Sequence, residues 1–187
     1  AATTATVCDE VYRSLMKMRW QPSIQIVPHY ESDPIYIQAL VNSIEKKINE
    51  INWKPDLILS SYHGIPKAYF DKGDPYHCYC HKTTRLIKEK FDQVDIQTTF
   101  QSRFGPQEWL KPYTDKTIEN LPDKGVKNLL VICPGFASDC VETLEEINIQ
   151  ARESFLEKGG EKFDLVPCLN DNSDHINLFE KLIRRFL

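Results

Sequence analysis

The chain has 187 residues, 41% hydrophobic and 27% charged, with a net charge of −4. That is enough for one domain with a buried core and an added arm, and the acidic balance without a Lys/Arg cluster argues against a nucleic-acid partner. No apolar run approaches the roughly 20 residues a membrane span needs, and the small polar opening residues do not read as a signal peptide.

In chain order, helical spacing of Val7, Val11, Leu15 and Met18 predicts a helix over 3–18, ended by Trp20-Gln21-Pro22. Residues 23–27 read as a short strand. Pro34 opens a helix whose apolar face is Ile37, Leu40, Val41, Ile44 and Ile48. The apolar run from Leu57 reads as a buried strand ending in Ser60-Ser61-Tyr62-His63-Gly64-Ile65-Pro66. Residues 67–76 read as a loop, 77–91 as a helix, 94–100 as a strand and 101–113 as a loop. A short helix over 114–121 and the most apolar strand, 126–133, follow. A helix over 139–155, a strand over 163–167 and a helix over 173–186 complete the chain. Strands alternating with helices predict an α/β fold, an open parallel sheet of about four strands with helices on both faces. Their order across the sheet is not legible.

The six cysteines, Cys8, Cys78, Cys80, Cys133, Cys140 and Cys168, are scattered rather than spaced as a disulfide framework, which fits a reducing cytoplasm. His77-Cys78-Tyr79-Cys80-His81 packs four metal-ligand types into five residues. On a helix successive side chains diverge by about 100°, so the five cannot meet at one ion. Cysteines packed on the sheet and histidines at the helix start are expected instead.

Two strand ends are the candidate rim of a site, because open α/β sheets bind ligands beyond the carboxyl ends of their strands. One carries His63. The other, Pro134-Gly135-Phe136-Ala137-Ser138, leads into a helix where Asp139, Glu142 and Glu146 are spaced to stack on one face. An imidazole opposite carboxylates can take up protons and hold a divalent transition metal. The same acidic pattern is also a capping box on a favourable helix dipole, which needs no function. Trp109 and Phe136 are loop aromatics for which core packing is the default, and walls for a flat ligand the alternative.

Three blocks together resemble the ferrochelatases: Ser61-Tyr62-His63-Gly64-Ile65-Pro66 with Lys72-Gly73-Asp74-Pro75-Tyr76; Gln101-Ser102-Arg103-Phe104-Gly105-Pro106 with Trp109-Leu110 and Pro112; and Cys133 through Ile147. Leu169-Asn170-Asp171 fits as well. The resemblance implies insertion of Fe²⁺ into protoporphyrin IX to form protohaem. It makes His63 and Glu142 the catalytic and metal-facing pair, with Asp139 and Glu146 as a relay for metal or protons. Trp109, Phe136 and Ser102 would line the porphyrin. Fe²⁺ is then substrate, and the absence of cysteines after the last helix implies no iron–sulfur cluster.

Ferrochelatases are about twice this length, with two similar α/β halves. The resemblance is therefore to a C-terminal half, with 1–20 a junction helix and 21–187 a single α/β domain. The partners it implies are porphyrin, the missing N-terminal half and, as an open alternative, a second copy in a homodimer. Membrane contact would be at most peripheral, at the inner membrane. Two other functions stay open: a non-catalytic half-domain that binds metal or porphyrin, and a related cobalt or nickel chelatase.

Overall fold

The computed structural model describes residues 2–187, so the first residue of the expected junction helix lies outside the described residues. The element order is α1 (Ala2–Leu15), α2 (Pro34–Glu50), β1 (Leu57–His63), α3 (Lys67–Asp71), α4 (Tyr76–Lys90), β2 (Ile96–Gln101), α5 (Thr114–Asn120) and β3 (Asn128–Ile132). A π-helix (Glu142–Ala151), α6 (Arg152–Glu157), β4 (Lys162–Leu165) and α7 (Ser173–Arg184) follow.

The four strands form one parallel sheet in the order β2-β1-β3-β4. β1 is central: Ile58 to His63 lie opposite Ile96 to Gln101 on one side, and Leu57 to Ser60 lie opposite Leu129 to Ile132 on the other. Residues alternate between faces, so each face has its own core. Ile58, Ile96 and Leu130 pack beneath α2, α4 and α7. Leu57, Leu59, Leu129 and Val131 pack beneath α5, the π-helix and α6. Burial on both sides explains the unbroken apolar run of β3. Fully covering a side chain such as Ile44 or Phe155 stabilises by about 1.5–3 kcal/mol.

Helix α2 starts where Pro34 fixes the first turn and the Asp33 carboxylate accepts the Ile35 N–H at 2.9 Å. Its inward face is the series Ile37, Leu40, Val41 and Ile44. Asp33 also receives Arg185 from the end of α7, which ties the two helices on that face.

Four expectations about elements change. Residues 23–27 form no strand: Ile24 and Ile26 alternate, but both are exposed and no sheet edge meets them. The loop at 67–76 contains the single-turn helix α3, braced by Lys67 on Asp71 at 2.6 Å. The helix expected from Asp139 begins later and is wound as a π-helix for ten residues. Helix α1 ends at Leu15 and buries none of its residues, leaving Val7, Val11 and Tyr12 in solvent.

Candidate active site

In the strand order β2-β1-β3-β4 the chain runs from β1 outward to β2 and then returns to β3 on the opposite side. The carboxyl ends of β1 and β3 therefore flank the switch point where open α/β sheets hold ligands. His63 is the last residue of β1, and the loop leaving β3 carries Phe136.

The half-buried His63 ring stands between two aromatic rings, with centroids 6.5 Å from Trp109 and 6.3 Å from Phe136. Its Nδ1 lies 2.6 Å from the Gly64 carbonyl oxygen. A carbonyl only accepts, so Nδ1 carries the hydrogen and the neutral ring presents the lone pair on Nε2. Gly64 is required beside it. A Cβ there would come 2.9 Å from the Gln101 carbonyl oxygen and 3.1 Å from Trp109 Cε3.

Trp109 is buried and donates its Nε1–H to the Phe104 carbonyl at 3.0 Å. Pro66 and Trp109 bridge in antiparallel fashion, and Leu110 N–H donates to Ile65 O at 3.0 Å, so the 104–110 loop is laced to the segment after His63. Phe104 packs on Trp109 at 5.2 Å and is itself 76% exposed. Phe104, Trp109, His63 and Phe136 thus make an aromatic row with one end open.

Across the crevice the π-helix offers its acidic residues. Its i→i+5 bonding, seen in the Arg152 N–H to Ile147 O contact, widens the turn. Glu142 and Glu146, one wide turn apart, line a shared groove with Glu145 and Gln150. The Cys140 thiol, the backbone and then the charge of His63 hold the Glu142 carboxyl below its usual range. Glu146 accepts from Ser102 N–H at 2.7 Å and from Ser102 Oγ at 2.5 Å. Ser102 takes a left-handed backbone, φ 61°, to aim both donors there, a conformation unusual outside glycine. A groove of about 500 Å³ lies on this side, lined by Ser102, Phe104, Trp109, Glu146 and Gln150.

Asp139 is not part of the acidic row. It precedes the helix and turns to the loop after β4. Its carboxylate accepts from Asn170 Nδ2 at 2.7 Å, Cys168 N–H at 3.1 Å and Thr143 Oγ at 3.2 Å. Burial raises its pKa, but the Asn170 and Cys168 hydrogen bonds outweigh that and lower it overall. The pattern Asp139-x-x-Glu142 misleads because the helix does not yet exist at Asp139.

Gln101 is the residue that sequence reasoning passes over. It is buried at the end of β2. Its Nε2 donates to the Glu142 carbonyl at 2.8 Å and to Glu146 at 3.3 Å, and its Oε1 accepts from Ser61 Oγ at 2.7 Å. Ser61 in turn pairs with Thr114 and Thr114 with Thr99, each at 2.9 Å. A polar strand end, Thr98-Thr99-Phe100-Gln101, was the available signal.

In the His77–His81 segment, Cys80 is buried, Cys78 is exposed, and the two imidazoles meet at 4.4 Å. Burial pushes the Cys80 thiol up to about 12. Among the described residues no three His, Cys, Asp or Glu side chains group as metal ligands, and no helix is long and apolar enough to cross a membrane.

Comparison with known proteins adds a relationship to this geometry. The Ferrochelatase family model matches residues 1–187. Over 189 aligned residues the chain is 57% identical to ferrochelatases of Allorhizobium ampelinum and Rhizobium meliloti, covering all of this chain and 55% and 56% of theirs. Against the ferrochelatase of Brucella anthropi it is 53% identical, over 54% of that protein. The chain thus spans about half the length of the curated relatives it matches. A solved structure, the multi-domain protein DR2241 of Deinococcus radiodurans, described as similar to chelatases, superposes with a TM-score of 0.53 at 10% identity. It covers 80% of this chain and 29% of its own, a likeness of fold alone.

Proposed function

The chain belongs to the ferrochelatase family, and on that premise we propose that it supplies the metal-inserting rim of an enzyme that places Fe²⁺ into protoporphyrin IX to form protohaem. The observation that carries this reading is the open Nε2 of His63 at the carboxyl end of β1, set between the rings of Trp109 and Phe136.

The reaction exchanges two pyrrole protons for one divalent cation, and the rim divides that work. His63 Nε2, whose lone pair is left free by the Nδ1 hydrogen bond, accepts a pyrrole proton. Glu142 and Glu146, backed by Glu145 in the outer groove, draw the cation in or take the second proton out. Trp109 and Phe136 press on the macrocycle faces, and Ser102 borders it while holding Glu146 in place. Asp139 secures the loop on which Phe136 rides. The second wall of the porphyrin site comes from a further α/β half of the kind that the relatives' greater length can encode. We place the activity in haem biosynthesis in the cytoplasm, with at most peripheral membrane contact and no iron–sulfur cluster.

The exposure of Phe104 favours a second reading, a half-domain that binds metal or porphyrin without turnover. Ferrous insertion into protoporphyrin, followed by absorbance, separates the two. The chain is assayed alone and with the complementary half of a relative added. Insertion in either arm supports the enzyme reading. Binding of both substrates without insertion in both arms supports the second.

A further inference from the structure

Strand alternation puts chemistry on both faces of this sheet. Ser61, Thr99 and Gln101 share the face of the π-helix. Tyr62 and Phe100 turn to the other face, where they pack with Cys80 of α4. His77 also sits there. Its ring stacks on Phe100 at 5.6 Å and 20° and is flanked by Phe70 at 4.9 Å. His81 follows one helical turn later, and the two ring centroids are 4.4 Å apart at 50°. Among the described residues neither imidazole takes part in a hydrogen bond or ion pair, so their nitrogens are uncommitted.

We propose that His77 and His81 form a two-imidazole site for a borderline divalent cation of the Zn²⁺, Ni²⁺ or Cu²⁺ class, on the sheet face opposite His63. Imidazole suits these ions. Metal–nitrogen bonds of about 2.0–2.1 Å, with the ligands about 90–110° apart at the metal, put two ring centroids roughly 4.5–5.2 Å apart. The observed spacing reaches that range by a small rotation of His81, which is exposed and borders Phe100 with a ring centroid 6.1 Å away. Water completes the coordination. The remaining members of the segment are engaged elsewhere: Cys80 is buried, Tyr79 stacks on His29, and Cys78 lies on another side of the helix. Phe70 and Phe100 hold the His77 ring in place before the ion arrives.

The test is a Zn²⁺ titration of the whole chain, read by calorimetry and by the ring resonances of His77 and His81. The expected result is binding that shifts both rings, persists in His63→Ala, and weakens by at least about tenfold in His81→Ala. His77→Phe, which keeps the packing on Phe70 and Phe100 while removing a ligand, should weaken it equally. Binding unchanged in both variants overturns the site. So does binding that is lost in Cys78→Ser, which would make the thiol the ligand, or binding that disappears with His63→Ala.

Discussion

The side-chain amide of Gln101 donates to the main-chain carbonyl of Glu142 at 2.8 Å, so the end of a parallel strand holds the first turn of the π-helix. Replacing Gln101 with Leu keeps the volume but leaves that carbonyl and the Ser61 hydroxyl short of a partner. The expected cost is about 1–3 kcal/mol of stability, with the 142–151 amides exchanging faster with solvent. Urea unfolding and hydrogen exchange check it. Gln101→Glu sets a second carboxylate beside Glu146 and should cost more.

His63→Ala removes the one proton acceptor between Trp109 and Phe136. In the complemented protein, ferrous insertion should fall by about 10²–10⁴-fold, while porphyrin binding, followed by fluorescence quenching, stays. Insertion at the unaltered rate would sink the assignment.

Gly64→Ala forces a methyl group against the Gln101 carbonyl and the Trp109 ring. Overpacking of this kind should cost about 1–3 kcal/mol. The Trp109 displacement should appear in near-ultraviolet circular dichroism. An unchanged urea midpoint and spectrum would contradict the packing described.

Asp139 is held below its ordinary carboxylate range, so its contribution to stability is present above the unfolded-state value near 3.8 and is lost as pH falls through the lower folded-state value. Asp139→Asn should therefore be less stable than the parent chain at pH 7, by about 1–3 kcal/mol, with the gap narrowing below about pH 4. Paired urea titrations at pH 7 and pH 3 measure it. A gap that widens in acid would show that the carboxylate's hydrogen bonds do not favour its charged form.

Much of the fold was legible because its signals are local. Pro34, the apolar series of α2 and the unbroken apolar run of β3 each name their element without reference to the rest. The pairing of β1 with β3 depends on contacts that no local pattern states. The π-helix escaped for a different reason. Its inward residues Thr143, Ile147 and Ala151, followed by Phe155 in α6, are spaced strictly four apart. A helix of 3.6 residues per turn carries such a series about 120° around its surface. That drift was a readable sign of wider winding. Residues 23–27 failed in the opposite way: alternation was present, but nothing in the fold receives it. At the site, the rings of His63, Trp109 and Phe136 come together, whereas their loops alone left the two aromatics as core packing by default. Gln101 was missed because its importance lies in three partners that only the tertiary structure brings near.

Over Ile58–Ser60, β1 bonds to a strand along both edges, whereas β2 pairs with the strand β1 alone and meets only a single bridge, Phe100 to Tyr113, on its other side. For the backbone at Ile58–Ser60, paired on both sides, to be released, the middle of the sheet must part, so opening there approaches the free energy of global unfolding. Its ladders close only after chain far downstream has returned, which makes β1 an expected late gain of native pairing, where substitutions speed unfolding more than they slow folding. The imidazole at its tip stands three residues beyond that doubly paired stretch, on the part of β1 that pairs with β2 alone and is anchored through it.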